Sequence, residues 1–226
     1  MNKLRTFVIQ YANEIDTMAI PFFRGAAIAS LDKKNVLFHN HNGDKLRYAY
    51  PLIQYKRIHG KAAVIGIGQG VDVVTQLFSI QDFNYQIGHQ NVEMKIDTVN
   101  TYDNEISLTD SATRQYRLRN WLPLNSENYA KYQNTESMIE RIAILERVLK
   151  GNILSFLKGI DIHLEEQIEL HITDITSQHP LIYKKVRLMA FDIEFKANIT
   201  LPQYIGIGKS ASVGFGVLTK KTIKIY

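Results

Sequence analysis

Two histidines, His39 and His41, stand two residues apart in a segment that ends in Asn42-Gly43. In an extended or turn conformation, residues i and i+2 can face the same side, so both imidazoles can reach one reacting group. Histidine titrates near neutral pH and either accepts or donates a proton, which suits general acid–base chemistry. A metal site and an ordinary solvated loop are the two other interpretations. The metal site is disfavoured because the chain has no cysteine to add thiolate ligands.

Positive charge is concentrated in three parts of this chain of 226 residues, whose formal net charge is +5. Residues 33–62 carry seven basic side chains and one acid, and residues 195–226 carry five lysines and no acid. The third cluster interleaves basic and aromatic residues: Arg114, Tyr116, Arg117, Arg119 and Trp121. Such clusters suit a phosphate backbone and, where bases are unpaired, base stacking. An unevenly charged solvated surface is the plainer alternative.

A glycine-rich segment near the C-terminus has the pattern Gly-x-Gly, five residues, Gly-x-Gly. Glycines allow a close approach of the backbone to a phosphate, or a turn through positive φ. A nucleotide-binding loop of the Walker A type is excluded, because Gln203 stands where its first glycine is required. An ordinary turn before an edge strand is the alternative. The residues that we expect to contact phosphates are Gly206, Gly208, Lys209, Ser210, Gly214 and Gly216.

The elements that must position these residues follow a βαββαβ order in the first half of the chain. This order is the ferredoxin-like arrangement. The alternating patterns, the turn residues and the early proline predict strand Leu4–Tyr11, helix Phe22–Ala29, strands Tyr48–Lys56 and Lys61–Ile67, helix Val71–Ile80 and strand Asn91–Thr98.

The second half predicts fewer elements with a looser pattern. A loop rich in Asn, Tyr and Ser precedes a long helix that begins at Thr135 and continues as far as Ile160. The predicted strands are Tyr116–Leu118, Gln167–Ile172, Tyr183–Asn198 and Val213–Ile225. We therefore expect an α+β protein of two tandem ferredoxin-like domains, residues 1–108 and 109–226.

The composition also bounds where the protein works. The N-terminus enters a strand-like pattern with no apolar signal core before it, and no apolar run approaches the roughly 20 residues that span a bilayer. The absence of cysteine fits a reducing compartment. These observations predict a soluble, cytoplasmic protein that does not contact a membrane.

Three features together resemble the CRISPR repeat-processing endoribonucleases, which belong to a wider superfamily of ferredoxin-like RNA-binding proteins. They are the paired glycine motif before a basic strand, the short early helix followed by histidines, and the segment Tyr50-Pro51-Leu52-Ile53-Gln54-Tyr55-Lys56. The resemblance implies cleavage of repeat RNA without a metal or other cofactor, leaving a 2′,3′-cyclic phosphate and a 5′-hydroxyl. The alternatives are a non-catalytic RNA-binding subunit of a CRISPR interference complex and an unrelated module that binds a small ligand or a protein.

Under this resemblance, attack by the 2′-hydroxyl needs a base, an acid for the leaving 5′-oxygen, and cations beside the phosphorane. The resemblance favours His41 as the base with His39 as partner or substitute, and the order of the two stays open. Lys45 and Tyr48 complete the expected catalytic group. The partner is CRISPR repeat RNA; a homodimer and other CRISPR-associated proteins are compatible with it. Outside the glycine segment, the expected RNA-binding residues are Lys33, Lys34, Arg47, Arg114, Arg117 and Arg119.

Overall fold

The computed structural model describes residues 2–30, 50–76 and 83–221, and the backbone alone at residues 41–42 and 45–46. Its contacts divide the chain into two compact units. The N-terminal unit contains Lys3–Asn104 and Ser212–Gly214, and the C-terminal unit contains Glu105–Ala211 and Phe215–Tyr226. The domain boundary between residues 108 and 109 stays a prediction about independently folding pieces, which contacts within the intact chain do not test.

The N-terminal unit has a four-stranded sheet covered by helices. Its sheet order is β4-β5-β1-β8, and β5 pairs antiparallel with both β4 and β1. This is the order of a βαββαβ ferredoxin-like unit, which confirms the predicted fold. The elements are β1 (Asn2–Glu14), α1 (Ile20–Ala29), β2 (His41–Asn42), β3 (Lys45–Leu46), β4 (Ile53–Ile58), β5 (Lys61–Ile67), α2 (Gly70–Thr75), β6 (Asn84–Ile87), β7 (Gln90–Glu93) and β8 (Ile96–Ile106).

The core of this unit forms around Phe23 of α1. Its ring contacts three buried tyrosine rings, with centroid distances of 5.6 Å to Tyr11, 5.7 Å to Tyr55 and 6.2 Å to Tyr85. Pro21 stands in the first turn of α1, where its fixed φ suits the helix and its missing N–H costs no hydrogen bond. Aromatic packing from three strands thus holds α1 on the sheet.

The predicted last strand of this unit, Asn91–Thr98, was wrong. The hairpin β6–β7 occupies the beginning of that range, and the edge strand β8 starts at Ile96 and continues to Ile106. Most residues of β8 are exposed polar side chains. An edge strand of this kind has no apolar alternation, so a pattern search does not find it.

The C-terminal unit has the sheet order β10-β11-β9-β12, the same order of strands as in the N-terminal unit. Residues 198–216, all of which the structure describes, contain no helix between β11 and β12. The glycine-rich segment therefore occupies the place of the second crossover helix. The elements are β9 (Arg114–Trp121), α3 (Ser126–Asn134), α4 (Met138–Gly159), β10 (Leu170–Tyr183), β11 (Val186–Ala197) and β12 (Val217–Lys220).

The long helix α4 confirms its predicted pattern. The Ser137 hydroxyl caps it by accepting a hydrogen bond from the Glu140 N–H, and its apolar stripe is buried through Phe156 and Leu157. The predicted loop before it was wrong, because Ser126–Asn134 forms α3, capped by the Asn125 side chain. Only Tyr132 of α3 is buried, so the helix has no apolar stripe to reveal it.

The strands β10 and β11 form one long antiparallel hairpin where two separate strands, Gln167–Ile172 and Tyr183–Asn198, were predicted. The turn between them is Lys184-Lys185, with φ values of 49° and 64°. A two-residue turn with positive φ at both positions normally contains Asn-Gly or Asp-Gly, so the sequence Lys-Lys does not predict a turn here. The middle of β10 is polar and includes Pro180, which also obscured the strand.

Candidate functional site

The histidine segment forms a two-stranded antiparallel hairpin within the described backbone. The register pairs His41 with Leu46 and Asn42 with Lys45. The backbone positions of His41 and Lys45 therefore lie in adjacent pairs of one short ribbon. His39 and Tyr48 lie outside the described residues, and so do Lys33, Lys34 and Arg47. Their catalytic and RNA-binding roles stay predictions.

The segment after this hairpin is held by buried polar contacts. The Gln54 side chain donates hydrogen bonds to the Tyr50 hydroxyl (2.8 Å) and to the carbonyl of Pro51 (3.0 Å). Burial raises the pKa of Tyr50, and the hydrogen bond with Gln54 partly opposes this shift. These bonds fix the backbone where the histidine segment joins the sheet.

Lys56 of β4 is a fully buried lysine, an unusual position for this residue type. Burial lowers its pKa to about 7 because desolvation penalises the ammonium form. No local signal marks Lys56 as buried, because Arg57 follows it and a Lys-Arg pair is typical of an exposed basic strand. Only the packing around β4 distinguishes the buried cation from the exposed one.

A strict period of two in β9 would place Trp121 on the same face as Arg117 and Arg119. The register of β9 against β11 is irregular between Leu118 and Trp121, and Asn120 there has φ 49°, so Trp121 turns to the buried face with Leu118. Tyr116 and Trp121 are buried. The Tyr116 hydroxyl donates to the carbonyl of Ile199 and accepts from the N–H of Leu201. These rings belong to the core, so the expectation that they stack RNA bases was wrong. Arg114 and Arg119 are exposed.

Arg117 already has a partner in the protein. It donates two hydrogen bonds to one carboxylate oxygen of Glu194, and the Lys221 ammonium lies 2.5 Å from the other oxygen. The hydrogen bonds from Lys221 and Arg117 hold the pKa of Glu194 below its usual range. Two cations thus share one carboxylate, which reduces the positive charge that this part of the sheet presents to a phosphate.

A basic groove of about 340 Å³ lies at one end of β9 and β12. Its cations are Arg114, Lys220 and Lys221, and the Thr113 and Thr200 side chains also line it. Burial, with a smaller contribution from the charge of Arg114, lowers the pKa of Lys220. Lys220 and Lys221 were recognised in the sequence only as part of a basic C-terminal stretch.

The glycine segment folds back on itself against β12. Gly206 forms a bridge with Val217, and the N–H of Ile207 donates to the carbonyl of Gly216 over 2.8 Å. Gly216 has φ +59°, and a Cβ there would overlap the carbonyl oxygen of Ile207. Gly208 has φ +94°, and a Cβ there would lie 2.9 Å from the indole nitrogen of Trp121. Backbone conformation and packing are therefore sufficient to explain why glycine occupies positions 208 and 216.

The residues of the segment differ in their exposure. Gly206, Gly214 and Gly216 are buried, Gly208 and Ser210 are half-buried, and Lys209 is exposed. Ser210 adopts positive φ (58°), the conformation that turns the chain beside Lys209. Contacts of all six residues with RNA stay predictions, and Lys209 is the member best exposed for one.

Among the described residues, no group of three or more histidine, aspartate or glutamate side chains is placed to hold a metal ion. Within the same part of the chain, no helix is both long and apolar enough to cross a membrane.

Models of a protein family match nearly the whole chain. The Cas6b N-terminal domain matches residues 2–105, and the Cas6b C-terminal domain matches residues 108–221. The chain belongs to the Cas6b family. A curated relative, an uncharacterized protein of Methanocaldococcus jannaschii, is 30% identical over 112 residues, which cover 50% of this chain and 75% of the relative.

Solved structures resemble this Cas6b chain over almost its full length. A crystal structure of Cas6b is 29% identical with a TM-score of 0.86 and covers 97% of this chain and 100% of its own. A second, described as the CRISPR RNA processing endoribonuclease Cas6b, is 28% identical with a TM-score of 0.74 and the same coverage. Csf5, a type IV Cas6 crRNA endonuclease, shares the fold at 12% identity with a TM-score of 0.60 over 98% of this chain and 100% of its own.

Proposed function

We propose that this Cas6b chain is a metal-independent endoribonuclease that binds and cleaves CRISPR repeat RNA to mature guide RNAs. The observation that carries the proposal is the match of Cas6b models to both halves of the chain. The full-length likeness to a structure described as a CRISPR RNA processing endoribonuclease supports the activity. The histidine pair supplies the residue type that the reaction needs at neutral pH.

The proposed reaction uses the 2′-hydroxyl immediately upstream of the cut. Its proton goes to His41 while the 2′-oxygen attacks phosphorus, so that an O2′–P bond forms and the P–O5′ bond breaks. The leaving 5′-oxygen takes a proton from His39. The products are a 2′,3′-cyclic phosphate and a 5′-hydroxyl, and every atom and proton is accounted for without a co-reactant.

Two further side chains assist in this proposal. In the described backbone, Lys45 belongs to the same two-stranded hairpin as His41. Its ammonium would stabilise the negative charge that develops on the phosphorane oxygens. Tyr48 would orient the phosphate by a hydrogen bond.

The test is single-turnover cleavage of labelled repeat RNA in excess chelator. We expect cleavage to persist and the upstream product to end in a cyclic phosphate. A matched RNA with a single 2′-deoxy substitution upstream of the cut should bind equally well and remain intact. Activity that vanishes in chelator and returns with manganese or magnesium would show that the mechanism is wrong. Tight binding of the unmodified repeat without any cleavage would favour a non-catalytic RNA-binding subunit.

A further inference from the structure

A groove of about 380 Å³ lies between three segments of the C-terminal unit that are far apart in sequence. One side is the beginning of α3, at Asn125, Ser126 and Tyr129. Another is the β10–β11 hairpin, and the third is Lys209 of the glycine segment. This volume is within the range of pockets that hold small organic ligands.

The walls of this groove combine apolar surface with one accessible aromatic ring. The side chain of Tyr129 on α3 is 41% exposed, and that of Val186 on the hairpin is 54% exposed. Leu188 and Met189 are half-buried behind them. An exposed aromatic side chain beside aliphatic side chains is a surface on which a flat ring can stack.

The charge of the groove has one sign. Arg187 and Lys209 are both exposed, and no acid occurs among the ten described residues that line it. The turn of the same hairpin adds Lys184 and Lys185. An anionic group beside a ring is therefore favoured over a neutral or cationic occupant.

A larger groove beside α4 differs from this one in its charge. It has a volume of about 510 Å³ and apolar side chains such as Leu154, but Glu165 and Glu166 stand beside its lysines. Those carboxylates disfavour a phosphate there. Of these two grooves, the one between α3 and the hairpin combines an exposed ring with positive charge that no carboxylate of its lining opposes.

We propose that this groove binds one unpaired nucleotide of the repeat RNA, and the inference rests on the proposed function. The base stacks on Tyr129 beside Pro180 and Met189, which are paired across the hairpin and therefore share one face. Arg187 and Lys209 contact the phosphates on either side of that nucleotide. The Asn125 and Ser126 side chains supply hydrogen-bonding groups for the edge of the base, which gives the groove a means to prefer one base.

The experiment measures the affinity of the full chain for a repeat RNA made uncleavable by the 2′-deoxy substitution. Each nucleotide in turn is replaced by an abasic residue, with wild type and with Tyr129→Ala. Tyr102→Ala is the matched control, because Tyr102 of β8 has a similar exposure of 43%. For Arg187→Ala and Lys209→Ala the control is Lys131→Ala, which removes an exposed cation from α3 outside the groove.

We expect Tyr129→Ala to weaken binding about 5- to 150-fold, the usual effect of losing one base–aromatic stack. One abasic position should cause a similar loss in wild type, and the two changes together should lose no more than either alone. The proposal would be overturned if, at every abasic position, the loss of affinity simply added to the loss caused by Tyr129→Ala. So would a Tyr129→Ala affinity equal to that of Tyr102→Ala.

The outcomes separate this inference from the proposed function. If wild type cuts the repeat and Tyr129→Ala binds it with unchanged affinity, nucleotide binding in the groove is refuted and the proposed function is retained. Wild type that never cuts, with one abasic position coupled to Tyr129, refutes the nuclease and retains the groove. Failure of wild type to bind the repeat refutes both, and a groove occupied by a protein segment would then be tested by crosslinking at position 129.

Discussion

At the scale of single residues, the mechanism that we propose depends on the imidazole of His41, in the hairpin of β2 and β3. We expect His41→Ala to reduce the single-turnover cleavage rate by roughly 10²–10⁴-fold, the usual contribution of a positioned proton-transfer group. Affinity should change little, because a neutral imidazole adds little to the electrostatic attraction of RNA. The rate and the dissociation constant are measured on the same RNA.

The control for this substitution is His89→Ala, which removes an exposed histidine from the turn between β6 and β7. His39→Ala should cause a milder loss than His41→Ala. A larger loss would reverse the order of the two histidines. Cleavage at the wild-type rate by the double variant would remove both from the mechanism.

A second prediction at this scale concerns the buried Lys56 and the pH dependence of stability. Burial lowers the pKa of Lys56 from 10.5 to about 7, so the unfolded chain binds more protons than the folded chain between these two values. The free energy of unfolding should therefore rise with pH across this window, by at most about 1.4 kcal/mol per pH unit from this one group. Chemical denaturation from pH 7 to 10 measures it.

Lys56→Met should flatten that slope, because it removes the group whose proton affinity differs between the two states. Lys3→Met is the control, since Lys3 of β1 is exposed. An unchanged slope in Lys56→Met would mean that the lysine titrates alike in the folded and unfolded chain.

At the scale of elements, the glycine segment combines a structural part with an exposed cation, and the two can be separated. Lys209→Ala should weaken RNA binding and reduce the slope of log affinity against log salt by about one, since one phosphate contact is lost. Its thermal unfolding should match wild type. Lys131→Ala, with the same loss of charge, should leave the salt slope nearly unchanged.

Gly216→Ala, in contrast to Lys209→Ala, should lower the stability of the fold. A Cβ at this position overlaps the backbone of Ile207, and φ is +59°, where a side chain costs about 1–2 kcal/mol before any clash. The midpoint of thermal unfolding should fall clearly. Gly208→Val should also disturb packing, because its side chain would meet Trp121 and Asn152, so weaker RNA binding in that variant would not identify a phosphate contact.

At the scale of the whole molecule, the two compact units are not two consecutive pieces of chain. Ser212–Gly214 belong to the N-terminal unit, where the N–H of Tyr55 donates to the carbonyl of Ser212 over 2.8 Å and Val213 bridges the same residue. The side of β4 away from β5 is therefore paired by residues from the far end of the sequence. An N-terminal piece made alone lacks this pairing.

We expect the isolated fragment 1–108 to unfold at a lower temperature than the same residues in the intact chain, because that backbone pairing is lost. The matched control is the full chain cut at an engineered protease site after residue 108 but not separated, which retains the segment. Equal midpoints for fragment and control would show that Ser212–Gly214 add no stability and would support residues 1–108 as an autonomous domain.

The amino-acid sequence by itself determined the features that depend on neighbouring residues. The apolar run at residues 61–67 after the His59-Gly60 turn, the proline of α1 and the apolar spacing of α4 helped to predict the α+β class and the βαββαβ order of the N-terminal unit. The histidine pair and the glycine pattern were likewise visible as local motifs. Local signals failed for β8 and α3, whose side chains are mostly exposed and carry no apolar period.

Only the tertiary structure decided which charged and aromatic residues remain available to a ligand. Arg117 is paired with Glu194, 77 positions away, and Tyr116 and Trp121 are buried while Arg114 and Arg119 of the same strand are exposed. The burial of Lys56 and the meeting of Tyr129, Arg187 and Lys209 in one groove also follow from long-range packing. Availability depends on what folding brings beside a side chain, and that neighbour is rarely close in sequence.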